Sequence, residues 1–426
     1  MNKSSSESRS IFAWCLYDFA NSSFTTLVVT FIYATYFTKA IAENEIIGTT
    51  LWSRGITITA IIVALLSPIM GALADRGGYR KFLLLLATIL CVITTTALYF
   101  VMPGQTTLAL TWFIVANLSF EMGCVFYNAF LPEITPQDRI GRVSAYGWAM
   151  GYGGGLLCMF IALFGFVNPE QPWFGFSKEA GQNIRATNLL VASWFALFSI
   201  PIFLFVKENT DRASVLNKQL FASSLIQLKT TFQEIQRYRQ IIRLLIARLF
   251  YNDGLITIFA FGGIYAAGTF GFSVKEIIIF GIVLNVTAGL GAFAMGFIDD
   301  FLGGKKTIII SVFGLSMGCL IGVLAFSKTM FWVAGILVGF FAGPNQSASR
   351  SLLGRFIPQE KENEFYGFFA FSGKATAFLG PLLLGILTEL FQSQRVGMSI
   401  ILIFFIIGGM ILMRVNEKEG IDLSRR

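Results

Sequence analysis

Charged side chains inside long apolar stretches are where this sequence can do chemistry. A charge at the centre of a bilayer costs about 3 kcal/mol on insertion scales and is retained only with a partner or a cavity. Asp18 and Asn21, in YDFANSSF, are three residues apart and so share a helical face. Asn117, Glu121, Cys124 and Asn128 follow at spacings of four, three and four, which makes one polar stripe on a helix. Glu121 lies ~16 Å along that helix from Pro132. Later in the chain, ARLFYND carries Arg248 and Asp253, and Gly339, Gly343, Gln346 and Arg350 form a second stripe. Lys374 stands ~15 Å into its own apolar stretch. Both signs near a midplane suit a zwitterion, whose carboxylate seeks Arg or Lys and whose ammonium seeks Asp or Glu. Carboxylates held away from water also suit proton transfer, with Glu121 and Asp253 as candidates. The same residues have a plainer reading, in which Asp18 or Glu121 pairs with Lys374 or Arg350 and only holds helices together. Sequence leaves both open.

The elements that must position these groups are helices in lipid. The 426 residues are 55% hydrophobic and 13% charged, against about 25% charged in soluble domains. Apolar stretches run at 11–38, 52–74, 82–102, 107–131, 143–166, 187–206, 241–268, 274–298, 305–326, 330–353, 365–390 and 396–414. None alternates with period two, so the expected fold is all-α and integral to the membrane, with twelve spans. The first stretch is too long for a cleaved signal peptide and reads as a retained helix. Cys15, Cys91, Cys124, Cys158 and Cys319 all lie in apolar segments, without metal or disulfide spacing. The chain has no histidine, which removes histidine–metal sites, Ser-His triads and histidine proton relays. No cofactor is expected.

The net charge of +8 is topological rather than a sign of nucleic-acid binding. With both termini cytoplasmic, most Lys and Arg fall on the cytoplasmic side, as the positive-inside rule requires. The polar stretch 207–240 divides the chain into an N-terminal half, 1–206, and a C-terminal half, 241–426. Within it Leu216, Leu220, Leu225, Leu228, Phe232 and Ile235 recur at helical spacing among basic residues, which predicts an amphipathic surface helix. The halves repeat each other. GALADRGGYRK contains Gly71, Asp75, Arg76, Gly78, Arg80 and Lys81; 225 residues on from Gly71, Asp75, Gly78, Arg80 and Lys81, GFIDDFLGGKK places Gly296, Asp300, Gly303, Lys305 and Lys306. Pro132, Gly141, Gly147 and Gly154 are likewise followed 226 residues later by Pro358, Gly367, Gly373 and Gly380. Two pseudo-symmetric six-helix halves are the expected arrangement. Asp75 and Asp300 can then sit at positive helix ends in the opposite half, with Arg80, Lys81, Lys305 and Lys306 meeting carboxylates or helix carboxyl ends there; topology anchoring by the same basic residues is compatible. Gly147, Gly151 and Gly155 form a small-residue ridge for close helix packing.

The repeated G-x-x-x-D-R-x-G-x-R-K loop resembles the signature between the second and third helices of the major facilitator superfamily. Over nearly the whole chain the sequence is similar to the bacterial and fungal family that includes the autophagy-related vacuolar amino-acid effluxers. YDFANSSF, FYNAFLPEI, GRVSAYGWAMGYGGG, GPNQSASRSLLGRFIP and EFYGFFAFSGKATAFLGPLLLG carry that likeness. The resemblance implies a secondary transporter with helices 1, 4, 7 and 10 around a central cavity. It implies efflux of an amino acid or similar zwitterion, open to proton coupling, by a monomer in a bacterial inner membrane. Its partners are the bilayer, a small solute and protons. Another metabolite or drug as substrate, or a sensor or scaffold on the same fold, are the alternatives. A lipid-acting enzyme lacks the usual catalytic groups.

Overall fold

The computed structural model describes residues 3–208, 218–234, 236–358 and 360–424, and among them every regular element is a helix. Helix 1 runs from Lys3–Ser23 through Phe24–Phe31, Ile32–Tyr36 and Phe37–Ile41. Helices 2 to 6 are Glu45–Gly77, Arg80–Ala97, Thr106–Ala129, Ile140–Ala162 and Gln182–Phe205. After a linker helix, Lys218–Gln233, come helix 7 (Arg239–Phe270), helix 8 (Val274–Leu302), helix 9 (Gly304–Leu324) and helix 10 (Lys328–Phe356). Helix 11 is broken into an inner segment, Glu362–Lys374, and an outer segment, Leu379–Phe391; helix 12 is Gln394–Met413, and a short terminal helix, Glu417–Ser424, follows.

Eleven helices among the described residues are long and apolar enough to cross a membrane. Helix 10 matches them in length but not in composition, because its inner half reads GPNQSASRS. Those polar groups avoid lipid by burial: Asn345, Ser347, Ser349, Arg350 and Ser351 are all enclosed by other helices. Local chemistry sets many ends. Ser273 and Glu276 form a capping box at the start of helix 8, Asn44 caps helix 2, and Gly78 ends helix 2 in the left-handed conformation with φ 66°. Helix 1 widens to π geometry at Phe24–Phe31. There the hydroxyls of Ser23, Thr25 and Thr26 bond back to Ala20 and Ser22 carbonyls, a local competitor for the regular helix ladder.

Each half has its own apolar core, one led by Trp14, Tyr17, Phe113 and Phe126, the other by Tyr251, Phe331, Phe356 and Phe405. The halves meet along two seams, helix 2 with helix 11 and helix 5 with helix 8. The first seam is tight only near the face where helix 1 begins and helix 12 ends, called here the terminus face. A methyl group at Gly71 would collide with the Asn363 carbonyl, and one at Gly367 with the Ser67 carbonyl. The outer segment of helix 11 packs instead on helices 7 and 12 of its own half. Thr57 and Ser53 lie eighteen residues, or five turns, from Asp75 and Gly71, so they continue the seam face of helix 2. With Thr49, Thr50 and Arg54 they line an open surface recess on helix 2. The helix 2–helix 11 seam is therefore closed on the terminus face and parted on the other, where Ile282 of helix 8 still packs on the core of the first half.

The small-residue stripes close contacts within halves. Gly151, Gly154 and Gly155 of helix 5 receive helix 1 at Ser22, Phe19 and Thr26, whereas Gly339 and Gly343 of helix 10 lie against Thr287, Leu284 and Ala288 of helix 8. The expected polar stripe on helix 10 is thus divided: its glycines serve packing, and only Gln346 and Arg350 offer polar side chains. Of the linker's expected apolar face Leu228 is buried, with Ser224, Gln227 and Thr231, where the linker packs on helix 2, and Ile226 is exposed; Leu216 and Ile235, and the side chains of Leu220, Leu225 and Phe232, lie outside the described residues. Gly343→Val is expected to destabilise the protein by about 1–3 kcal/mol through overpacking against helix 8. It should lower the unfolding temperature in detergent, and an unchanged melt would refute this account of the contact.

Candidate functional site

Arg350 crosses from helix 10 into the first half and gathers three of its helices, 1, 4 and 5. Its Nη1 donates to Asp18 Oδ2 at 3.2 Å and to Asn128 Oδ1 at 3.1 Å. Its Nε donates to Ser144 Oγ at 2.9 Å and Nη2 to the Ser144 carbonyl at 2.6 Å. The guanidinium lies over the rings of Trp14, Tyr127 and Trp148, at 4.7, 5.8 and 5.7 Å from their centroids. Trp14 is stacked on Tyr127 and donates its indole N–H to the Tyr127 carbonyl, so the cage is rigid. Gly147 leaves the space, since a methyl there would meet Arg350, Trp14 and Asp18 together.

A second pair crosses between the halves: Lys374 Nζ lies 2.6 Å from Glu121 Oε1. Lys374 ends the inner segment of helix 11, and both side chains are partly exposed, at 29% and 19%. One stripe on helix 4 thus reaches both crossing cations, Asn128 to Arg350 and Glu121 to Lys374. Asn117, higher on that stripe, is buried without a side-chain hydrogen bond, and Asn21 only accepts a long bond of 3.5 Å from Ser22. In the second half Asn252 receives Gln346 at 3.0 Å and donates to the Gly373 carbonyl at 3.3 Å.

Arg248 and Asp253 do not join an ion pair. Arg248 donates to the Phe369 carbonyl and Ser372 Oγ, at 2.8 and 2.9 Å, and lies over the Phe369 ring. Asp253 accepts from the Gly380 amide at 3.2 Å. The two therefore flank the break in helix 11, one on its inner segment and one on its outer.

The terminus face carries a separate layer. Asp75 accepts from the Asn363 and Glu364 amides, at 3.0 and 2.8 Å, at the positive end of helix 11. Asp300 does the same for helix 5, taking the Gly141 amide at 2.9 Å and Arg142 Nε at 2.5 Å. Arg80 binds Glu133 at 2.6 Å in its own half and Glu362 in the other. The remaining basic residues depart from expectation. Lys81 Nζ binds the Val206 carbonyl and Lys305 Nζ the Met413 carbonyl, both helix ends within their own halves, and Lys306 is exposed. The cause is a loop one residue shorter in the second half. Helix 3 starts two residues after Gly78, but helix 9 starts directly after Gly303. Lys305, not Lys306, consequently answers Lys81, and Arg355 of helix 10 occupies the space beside Gly304. Arg355 binds Asp299 at 2.5 Å and Asp300 at 3.4 Å.

Sequence reading missed Glu133, Glu362, Asp299, Arg355 and Ser144, and also Gln227. Arg76 donates to Gln227 Oε1 at 2.7 Å, and Gln227 donates to Glu364 Oε2 at 2.7 Å, so the linker helix bridges both halves across the closed face. No spacing rule points to these residues; they follow only from which helices meet.

With this geometry in view, the model of the family described as "Vacuole effluxer Atg22 like" matches residues 49–423. The chain belongs to that family. The Atg22-like chain is 28% identical over 418 residues to the MFS-type transporter YxiO of Bacillus subtilis (strain 168), covering 97% of this chain and 96% of that protein. It is 22% identical to autophagy-related protein 22 of Yarrowia lipolytica, over 87% of this chain and 76% of the relative. Among solved structures it is similar to the proton:xylose symporter XylE, with a TM-score of 0.74, 13% identity and 98% of both chains covered. It is also similar to FucP in its outward conformation, with a TM-score of 0.70, 13% identity and coverage of 96% and 99%. The fold is that of the major facilitator superfamily, and this Atg22-like protein is a membrane transporter, not an enzyme.

Asp75→Asn removes a charge from a helix amino end, a contact worth up to about 2 kcal/mol, or roughly a 30-fold shift in the seam equilibrium. A cysteine replacing Ser67, buried against Gly367, should then become labelled faster from the terminus face. Unchanged labelling would mean that Asp75 does not hold this seam.

Proposed function

We propose that this protein exports a small zwitterion, an amino acid or a close analogue, by alternating access coupled to protons. In this reading it works as a monomer in a bacterial cytoplasmic membrane with both termini in the cytoplasm. The observation that carries the proposal is the Glu121–Lys374 pair: opposite charges from the two halves, partly exposed, where the bundle begins to part. A zwitterion supplies both partners such a pair needs, its carboxylate replacing Glu121 beside Lys374 and its ammonium replacing Lys374 beside Glu121. Solute binding can therefore separate the halves without stranding a charge, which is the requirement that makes exchange of partners cheaper than simple rupture.

Support for export comes from the family description as effluxers and for a bacterial membrane from the Bacillus relative. The basic bias of the terminus face supports the orientation. Asp75, Asp300, Arg80 and Arg355 then form the cytoplasmic gate, and Asp18 with Arg350 the lock above it.

Uptake of a pooled panel of labelled amino acids into proteoliposomes, with and without an imposed pH gradient, tests this reading. Gradient-driven accumulation in the parent protein, reduced roughly tenfold or more in Glu121→Gln, is the expected result. Failure to move any panel member would remove the amino-acid assignment, and full activity in Glu121→Gln would remove the pair from the pathway.

A further inference from the structure

Of Arg248, Asp253, Arg350 and Lys374, the four intramembrane charges of the second half at the candidate site, only Asp253 has neither an ion pair nor a hydrogen bond from its carboxyl group to another side chain. It is 1% exposed, and its Oδ1 has no hydrogen-bond partner. Its Oδ2 receives the amide of Gly380, the second residue of the outer segment of helix 11. The Thr257 hydroxyl beside it donates to the Asp253 backbone carbonyl rather than to the carboxyl group. Gly380 has no room for a side chain against Thr257 and Asp253, so the segment's amino end rests directly on this carboxyl group.

The surroundings bring no cation. Arg248 on the same helix is committed to Phe369 and Ser372, and Lys374 to Glu121. Helix 10 offers Gln346, bound to Asn252, and helix 12 offers Phe404 and Phe405 against Gly254. Helix 8 keeps Lys275, Glu276, Asp299 and Asp300 at its two ends, and helix 12 keeps Arg395 and Arg414 at its ends. An ionised Asp253 is thus held by the positive end of one thirteen-residue helix segment, and by little else. Among the described residues no cluster of acidic or sulfur ligands surrounds it, which leaves a metal ion without the oxygen cage it needs.

We infer that Asp253 is a proton-binding site that controls the outer segment of helix 11. Ionised, it draws the amino end of Leu379–Phe391 onto helix 7 and keeps the bundle parted. A proton added to the free Oδ1 cancels the charge, and the segment is released to swing about the turn after Lys374 toward the recess face of helix 2. This rests on the proton-coupled reading only for its use in transport; the movement itself needs no solute.

Spin labels on cysteines at Ile56→Cys of helix 2 and Ile386→Cys of helix 11, in a background with the five native cysteines replaced, report this movement as an inter-label distance. Both positions are exposed, at 39% and 50%. The expected result is a shift toward the shorter distance as the pH falls in the labelled parent, and loss of that pH response in Asp253→Asn, which should hold the short distance throughout. A parent without a pH-dependent shift overturns the inference, with no variant needed. So does an Asp253→Asn protein that responds to pH as the parent does. A normal shift in a protein that fails to accumulate any amino acid leaves Asp253 in place and removes the transport reading alone.

Discussion

A charge taken from water into a helical bundle must be given partners, and breaking such a pair by removing one member costs about 3–5 kcal/mol. The architecture follows from how Arg350 meets that constraint. It sits in the second half, yet all of its side-chain acceptors belong to the first: Asp18, Asn128 and Ser144. Helices 1, 4 and 5 are thereby tied to helix 10, and Gly147 is required where the guanidinium enters. The Trp14–Tyr127 stack and Gly147 of helix 5 serve that single crossing. Closure of the terminus face is the same principle repeated at helix ends, where Asp75 and Asp300 supply charge to amides that would otherwise be unpaired.

Much of this was legible in the sequence because lipid allows few solutions. The span count and the two halves follow from apolar length and an internal repeat, and the transporter fold from the likeness of the repeated loop to the major facilitator signature. The helix 4 stripe was visible because period 3.6 makes Glu121 and Asn128 neighbours on one face whatever they touch. Pairing was visible only as a set of alternatives: the chain offered two carboxylates and two cations, and the match of Asp18 to Arg350 and Glu121 to Lys374 depends on how far each helix is rotated. The break in helix 11 is marked in the sequence by Pro381, which has no amide for the carbonyl four residues upstream and so ends the regular ladder at residues 375–378. Helix 10 illustrates the reverse problem, since its polar half looks unfit for a membrane until its neighbours are known.

The loop repeat was legible as a repeat but not as a register. Counting from the paired aspartates aligns Lys306 with Lys81, whereas the structure gives that part to Lys305, because helix 9 begins one residue sooner after its glycine. A residue deleted from a turn changes no composition and leaves the motif recognisable, yet it exchanges the partners of every side chain beyond it.

That missing residue makes the carrier mechanically lopsided. On the helix 2 side the bracing cation, Arg80, belongs to the start of helix 3, which carries none of the interior charges that cross between the halves. On the helix 8 side the brace is Arg355, five residues along helix 10 from Arg350, a separation of ~7.5 Å on one rod. A displacement of the second half that draws Arg350 away from Asp18 carries Arg355 with Asp299 and Asp300, and so pulls Asp300 off Gly141 and Arg142 of helix 5. Helix 10 acts as a crank that joins the interior to one shutter of the gate, while the other shutter must be driven through helix 11.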